Sequence, residues 1–130
     1  MNQLLFKEGL LYTNIELKYK DKVINVKDVI IDTGASHTVI DTEYLEVMDI
    51  PLLDNDELVK AIGYGGTISY SLRKNLDEIR CGDLIKNNIK IDFGVIDPKN
   101  RISGLIGLDF LVSAGSVIDL VDLNIYKKEK

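Results

Sequence analysis

Asp32, Thr33 and Gly34 stand at the exit of the apolar run Val29-Ile30-Ile31 and are followed by the small residues Ala35 and Ser36. A carboxylate held at the end of a buried strand, with little bulk around it, is suited to general acid and base work. The competing reading is structural, because Asp in such a triplet readily accepts a backbone N–H two residues on and closes an Asx turn. Few other side chains invite chemistry. His37 and Cys81 are the chain's only histidine and cysteine, too few for a His/Cys zinc cage or an internal disulfide. His37 reads as a surface or core-edge residue, and Cys81 as structural, since nothing near it in sequence lowers a thiol pKa. Gly63-Tyr64-Gly65-Gly66 lacks the Lys-Ser/Thr and following helix of a phosphate loop.

The elements that must position Asp32 are short and mostly extended. Leu10–Tyr19 alternates through Ile15, Leu17 and Tyr19, 20–22 reads as a polar turn, and Val23–Ile31 resumes as a Val- and Ile-rich strand leading into Asp32. Thr42–Val47 reads as one short helix, with Asp41 or Thr42 as N-cap, Glu43 in its first turn and Pro51 beyond its end. Glu57–Ile62 and Thr67–Leu72 are strands flanking a glycine-rich tip, where positive φ angles are available. Asn88–Ile96 alternates as a half-buried strand, 98–100 is a turn, Asp109–Ala114 forms a helical turn, and Ser116–Tyr126 returns to strand-like alternation. A faint echo joins Val29-Ile30-Ile31-Asp32-Thr33-Gly34 to Gly104-Leu105-Ile106-Gly107, both apolar runs ending at a glycine-containing turn.

The chain's 130 residues fit one domain spanning 1–130, with a core of its own. A net charge of -5 argues against nucleic-acid binding, which draws on clustered Lys and Arg, and the Lys127, Lys128, Lys130 group reads as a solvated tail. The most apolar window, Ile102–Leu123, contains Asp109, Asp119 and Asp122, each costing roughly 2.5–3.5 kcal/mol at mid-membrane. The N-terminus lacks the charged start of a signal peptide, so the expectation is a soluble cytoplasmic protein with no membrane partner.

Three motifs in one order carry a resemblance. Ile30-Ile31-Asp32-Thr33-Gly34-Ala35-Ser36, then Ala61-Ile62-Gly63-Tyr64-Gly65-Gly66, then Gly104-Leu105-Ile106-Gly107-Leu108-Asp109-Phe110-Leu111 resemble the retropepsin family of aspartic proteases, and more narrowly its cellular and bacterial members. The similarity spans roughly Leu10 to Tyr126. It implies a mainly β, retropepsin-like acid-protease fold: a closed, barrel-like single lobe with a flap hairpin and one or two short helices. It also implies an aspartic endopeptidase without cofactor or metal, acting on a peptide or protein substrate. Because the chain has one Asp-Thr-Gly, the resemblance implies a homodimer that pairs Asp32 of each subunit on the two-fold axis.

Under the same resemblance, Asp32, Thr33 and Gly34 are the catalytic residues, with Thr33 bonding backbone across the axis and Gly34 leaving room for substrate. Ala35, Ser36, Ile62, Gly63, Gly65, Gly66 and Ile106 then bind substrate, the flap glycines lying over the peptide. Val39, Ile62 and Ile106 are candidate pocket walls, each equally readable as a core side chain. Two positions depart from the retroviral pattern, which pairs an acid after Asp-Thr-Gly-Ala with an Arg after the later Ile-Gly. Ser36 and Leu108 stand there, so a different way of bracing the dimer, with Asp109 as candidate, is expected. Met1–Phe6 and Val121–Tyr126 are apolar enough to pair as strands across the dimer. Two alternatives stay open: a catalytically silent dimer of this fold that binds peptides or partners, and a monomeric β-domain.

Overall fold

Alternation makes the strands, and register makes the sheet. The computed structural model describes residues 2–62, 64–97, 99 and 101–129. Among them the chain runs through β1 (Asn2–Gln3), β2 (Leu5–Lys7), β3 (Leu10–Tyr19), β4 (Lys22–Ile31), β5 (Val39–Asp41) and α1 (Glu43–Val47). It continues through β6 (Glu57–Ile62), β7 (Ile68–Cys81), β8 (Leu84–Gly94), β9 (Gly104–Ile106), α2 (Leu108–Ser113), β10 (Ser116–Asp119) and β11 (Asn124–Lys127). In β3, Ile15 and Leu17 are buried while Asn14, Glu16 and Lys18 face water, the period of two that a half-buried strand requires.

The main sheet has the order β2-β3-β4-β9-β5-β8-β7-β6, and a further pairing of β3 with β7 brings it round on itself. β1, β11 and β10 form a second, three-stranded sheet. The architecture is mainly β with two short helices. The core cluster includes Ile15, Leu17, Ile40, Phe93, Ile106 and Phe110, each fully or almost fully withdrawn from water. Every such side chain contributes about 1.5–3 kcal/mol of burial.

The two segments that echo each other in sequence lie side by side. β4 and β9 are parallel neighbours, with Val29, Ile30 and Ile31 opposite Gly104, Leu105 and Ile106. Gly104 keeps this pairing uncrowded, since a Cβ would come within 2.7 Å of Ile40 Cδ1 and 3.1 Å of the Val39 carbonyl.

Several elements differ from the sequence reading. β7 runs to Cys81, nine residues beyond the expected end at Leu72, and β8 starts at Leu84 rather than Asn88. The reason is a two-residue turn at Gly82 and Asp83 that lets charged segments pair, with Cys81 opposite Leu84. The 116–126 stretch is a hairpin, not one strand, because the Asp119 carboxylate accepts the N–H groups of Val121 and Asp122 and reverses the chain. Of the two N-cap candidates at the start of α1 it is Asp41 that serves, as expected: its Oδ1 accepts the Glu43 N–H at 3.0 Å, while Thr42 makes no side-chain cap. Within the expected turn at 98–100, Pro98 and Asn100 lie outside the described residues. The terminal strands pair within one chain, Asn2 opposite Ile125 and Gln3 opposite Asn124. Among the described residues, no helix is long and apolar enough to cross a membrane.

Candidate active site

Asp32 leaves β4 still tied to the sheet, its N–H donating to the Ile106 carbonyl at 2.9 Å. Its carbonyl accepts the Ala35 N–H at 3.2 Å, and its Oδ1 accepts the Gly34 N–H at 2.9 Å. The Asx turn is therefore real, but it occupies one carboxylate oxygen. Oδ2 has no protein partner among the described residues, and the side chain is half-exposed. Gly34 stands close for a reason: a Cβ there would sit 3.2 Å from Oδ1. Thr33 is exposed, and its hydroxyl makes no hydrogen bond among the described residues.

The loop after Asp32 is laced to the start of α2. Leu108 N–H donates to the Ala35 carbonyl at 2.8 Å and Asp109 N–H to the Ser36 carbonyl at 3.2 Å. Asp109 then uses both carboxylate oxygens on the loop and its own helix, accepting Thr38 N–H at 3.0 Å, Thr38 Oγ1–H at 2.8 Å and Phe110 N–H at 2.8 Å. Gly107 N–H donates to Thr38 Oγ1 at 3.2 Å. Within one chain Asp109 thus braces the fully buried Thr38. His37 lies at its edge, half-exposed, with Nδ1 3.9 Å from Asp109 Oδ2. Thr38 escaped the sequence reading; a threonine two residues after Ser36 carries no signal until its burial is seen.

Alternation assigns the faces. Ile30 pairs with Leu105, Leu105 with Val39, Val39 with Asp92, Asp92 with Arg73 and Arg73 with Glu57, so this row shares one face. Asp32, two residues beyond Ile30, projects to that same face. Val39 and Leu105 are half-buried there and can wall a groove. Ile106 cannot: its side chain is 0% exposed and packs in the core on the opposite face. Leu105, its neighbour, takes the position that Ile106 was expected to fill, because a shift of one residue in a strand changes the face. Ile62, 69% exposed, pairs with Ile68 on the face of Leu58 and Leu72, away from Val39. Val59, Ala61, Ser69 and Ser71 are the hairpin residues on the Asp32 face.

At the hairpin tip Gly65 and Gly66 adopt φ of 81° and 84° with open space around them, a backbone state that favours glycine. Gly63 lies outside the described residues. Among the described residues no three His, Cys, Asp or Glu side chains converge as a metal site.

A single lobe with an Asp-Thr-Gly turn at the end of one parallel strand, an apolar-apolar-Gly strand beside it and a glycine-tipped hairpin is the retropepsin-like fold. The aspartyl protease family matches residues 15–110, and the chain belongs to that family. A retropepsin-like aspartic protease from Rickettsia conorii shares the fold with a TM-score of 0.67 at 21% identity, over 96% of this chain and 87% of that one. The retroviral protease-like domain of Ddi1 from Leishmania major gives 0.59 at 13% identity, over 95% and 92%. No curated protein matches the sequence.

Proposed function

We propose that the chain is half of an aspartic endopeptidase, completed when two copies bring their Asp32 side chains together on a two-fold axis. The observation that carries this reading is Asp32 itself: a half-exposed carboxylate anchored through its main chain and Oδ1, with no partner for Oδ2 among the described residues. A turn whose purpose was only structural has no use for the small, exposed surroundings of Thr33 and Gly34.

Two carboxylates about 3 Å apart cannot both ionise, so the pair holds one proton. The ionised member takes a proton from the water between them, and the oxygen of that water bonds to the scissile carbonyl carbon. The protonated member gives its proton to the carbonyl oxygen, producing a neutral gem-diol. Collapse then breaks the C–N bond: a diol proton returns to one carboxylate while the other delivers its proton to the leaving nitrogen. The products are a carboxylic acid and an amine, and the pair again holds one proton. Thr33, whose hydroxyl has no partner among the described residues, braces the two loops across the axis, and Gly34 offers space and backbone to the peptide. The β6–β7 hairpin acts as the flap, its Gly65 and Gly66 turning the tip over the substrate and excluding water. Val39 and Leu105 wall the groove.

The test is cleavage of a casein or peptide library by the wild type and by Asp32→Asn, across a dilution series. The expected result is cleavage by the wild type alone, with specific activity falling as dilution separates the subunits. Equal cleavage by both proteins refutes the proposal.

A further inference from the structure

The row that crosses the sheet beside Asp32 turns from apolar to ionic. After Leu105 and Val39 come Asp92, Arg73 and Glu57, in register on β8, β7 and β6. Arg73 grips Asp92 with two parallel bonds, Nε to Oδ1 at 2.6 Å and Nη2 to Oδ2 at 3.1 Å, and reaches Glu57 Oε2 at 3.4 Å from Nη1. Asp92 is buried, and its main-chain N–H donates to the Thr38 carbonyl at 3.1 Å. Thr38 is the residue that Asp109 and Gly107 hold from the other side. One unbroken set of polar contacts therefore joins both arms of the hairpin, at Glu57 and Arg73, to the loop that carries Asp32.

Arg73 is the only cation in this set, set against Glu57, Asp92 and Asp109, with His37 at the far end of Asp109. Its guanidinium is held further toward the charged form first by the bond to Asp92, then by the fields of Asp92, Glu57 and Asp109. A buried ion pair is a poor way to gain stability, since desolvation offsets most of the attraction. A bidentate fork does fix one geometry, which an apolar contact at the same place would leave loose.

Resting on the peptidase reading, we infer that Arg73 is a positioning residue, which through Asp92 and Thr38 sets the hairpin in a fixed place relative to Asp32. The pair acts near the base of the hairpin, where β7 leaves β8: from Tyr70 toward the tip, β7 has only β6 beside it. A small tilt at that base is a large displacement at Gly65 and Gly66. Peptide held under the hairpin is then misplaced over the carboxylates, and a misplacement of about 1 Å costs about a hundredfold in rate.

The experiment compares wild type, Arg73→Gln and Arg73→Lys by amide hydrogen exchange without substrate and by peptide cleavage. The expected exchange result for Arg73→Gln is faster exchange at the Asp92 and Thr38 amides than at core amides such as Val26 and Ile79. The expected kinetic result is a fall of about ten- to a hundredfold in kcat/KM at protein concentrations that keep the dimer intact. Lysine keeps the charge but not the fork, so Arg73→Lys should show the same local acceleration in weaker form; it also carries both readouts should Arg73→Gln not fold. Exchange that rises uniformly through the core, or not at all at Thr38, overturns the inference. A wild type that cleaves nothing defeats the peptidase reading instead, and the exchange comparison still decides the coupling.

Discussion

Replacing Gly107 with alanine drives a methyl group into main chain that has nowhere to go. The new Cβ would lie 2.7 Å from the His37 carbonyl carbon and 2.8 Å from the carbonyl oxygens of Ala35 and His37. None of these is the end of a flexible side chain. To reach ordinary contact the 35–37 loop and the β9–α2 junction must separate by about 0.6–1 Å. That opening loads the bonds that lace the two together: Gly107 N–H to Thr38 Oγ1, Leu108 N–H to Ala35, and Asp109 N–H to Ser36. Overpacking of this kind costs about 1–3 kcal/mol, which for a chain of this size is a fall of roughly 4–12 °C in Tm. The same displacement moves the loop that holds Asp32, so cleavage should fall further than the lost stability accounts for, by about a hundredfold. Thermal unfolding and peptide cleavage measured on the same preparation separate the two effects. Gly115→Ala is the matched control, because its φ is 68° but nothing lies within 4 Å of the added carbon. It should cost about 1 kcal/mol through the backbone alone and leave cleavage unchanged. A Gly107→Ala protein with wild-type Tm and wild-type cleavage refutes this account of the loop.

Acid should weaken the fold through two carboxylates. Asp56 is held below its usual range by the Leu53 N–H first and by Lys74 next, and Asp97 by Arg101 first and the Lys99 N–H next. Both bind protons more weakly folded than unfolded, so their stabilisation is complete above about pH 4 and is lost as the pH falls through their lowered folded values. Urea midpoints taken from pH 7 to pH 2 should drop steeply for the wild type and less so for Asp56→Asn/Asp97→Asn; parallel curves would count against the assignment. Burial raises the Cys81 thiol above its ordinary pKa, despite contacts from Asn2 and Thr13 that act the other way. The native protein should therefore resist a thiol reagent at pH 8 and react at once in urea, and rapid native labelling would contradict the buried placement.

Sequence alone carried the local content of this protein. Loose alternation through Ile15, Leu17 and Tyr19 located β3, and a Val- and Ile-rich run located most of β4. The pairing of Asp41 with the first turn of α1, and the demand for positive φ at Gly65 and Gly66, are properties of neighbouring residues and could be read without a fold. So could the Asp-Thr-Gly turn, since an Asx turn closes within three residues.

What escaped was set by partners distant in the chain. The Arg73–Cys81 half of β7 reads as polar because its charges find burial only in tertiary contacts: Lys74 reaches the carboxylate of Asp56 and the Pro51 carbonyl, and Arg73 the buried Asp92. Its alternation is also broken, as the ladder to β8 skips from Leu76 opposite Ile89 to Glu78 opposite Asn87, with Asn88 at a φ of 52°. Whether Leu105 or Ile106 faced the groove could not be told from two adjacent apolar residues; the parallel register of β9 against β4 decided it. The same register set the polar frame of Thr38, Asp92, Arg73 and Asp109 around the Asp32 loop. Residues up to 71 positions apart hydrogen-bond there, and only the closed chain brings them within reach.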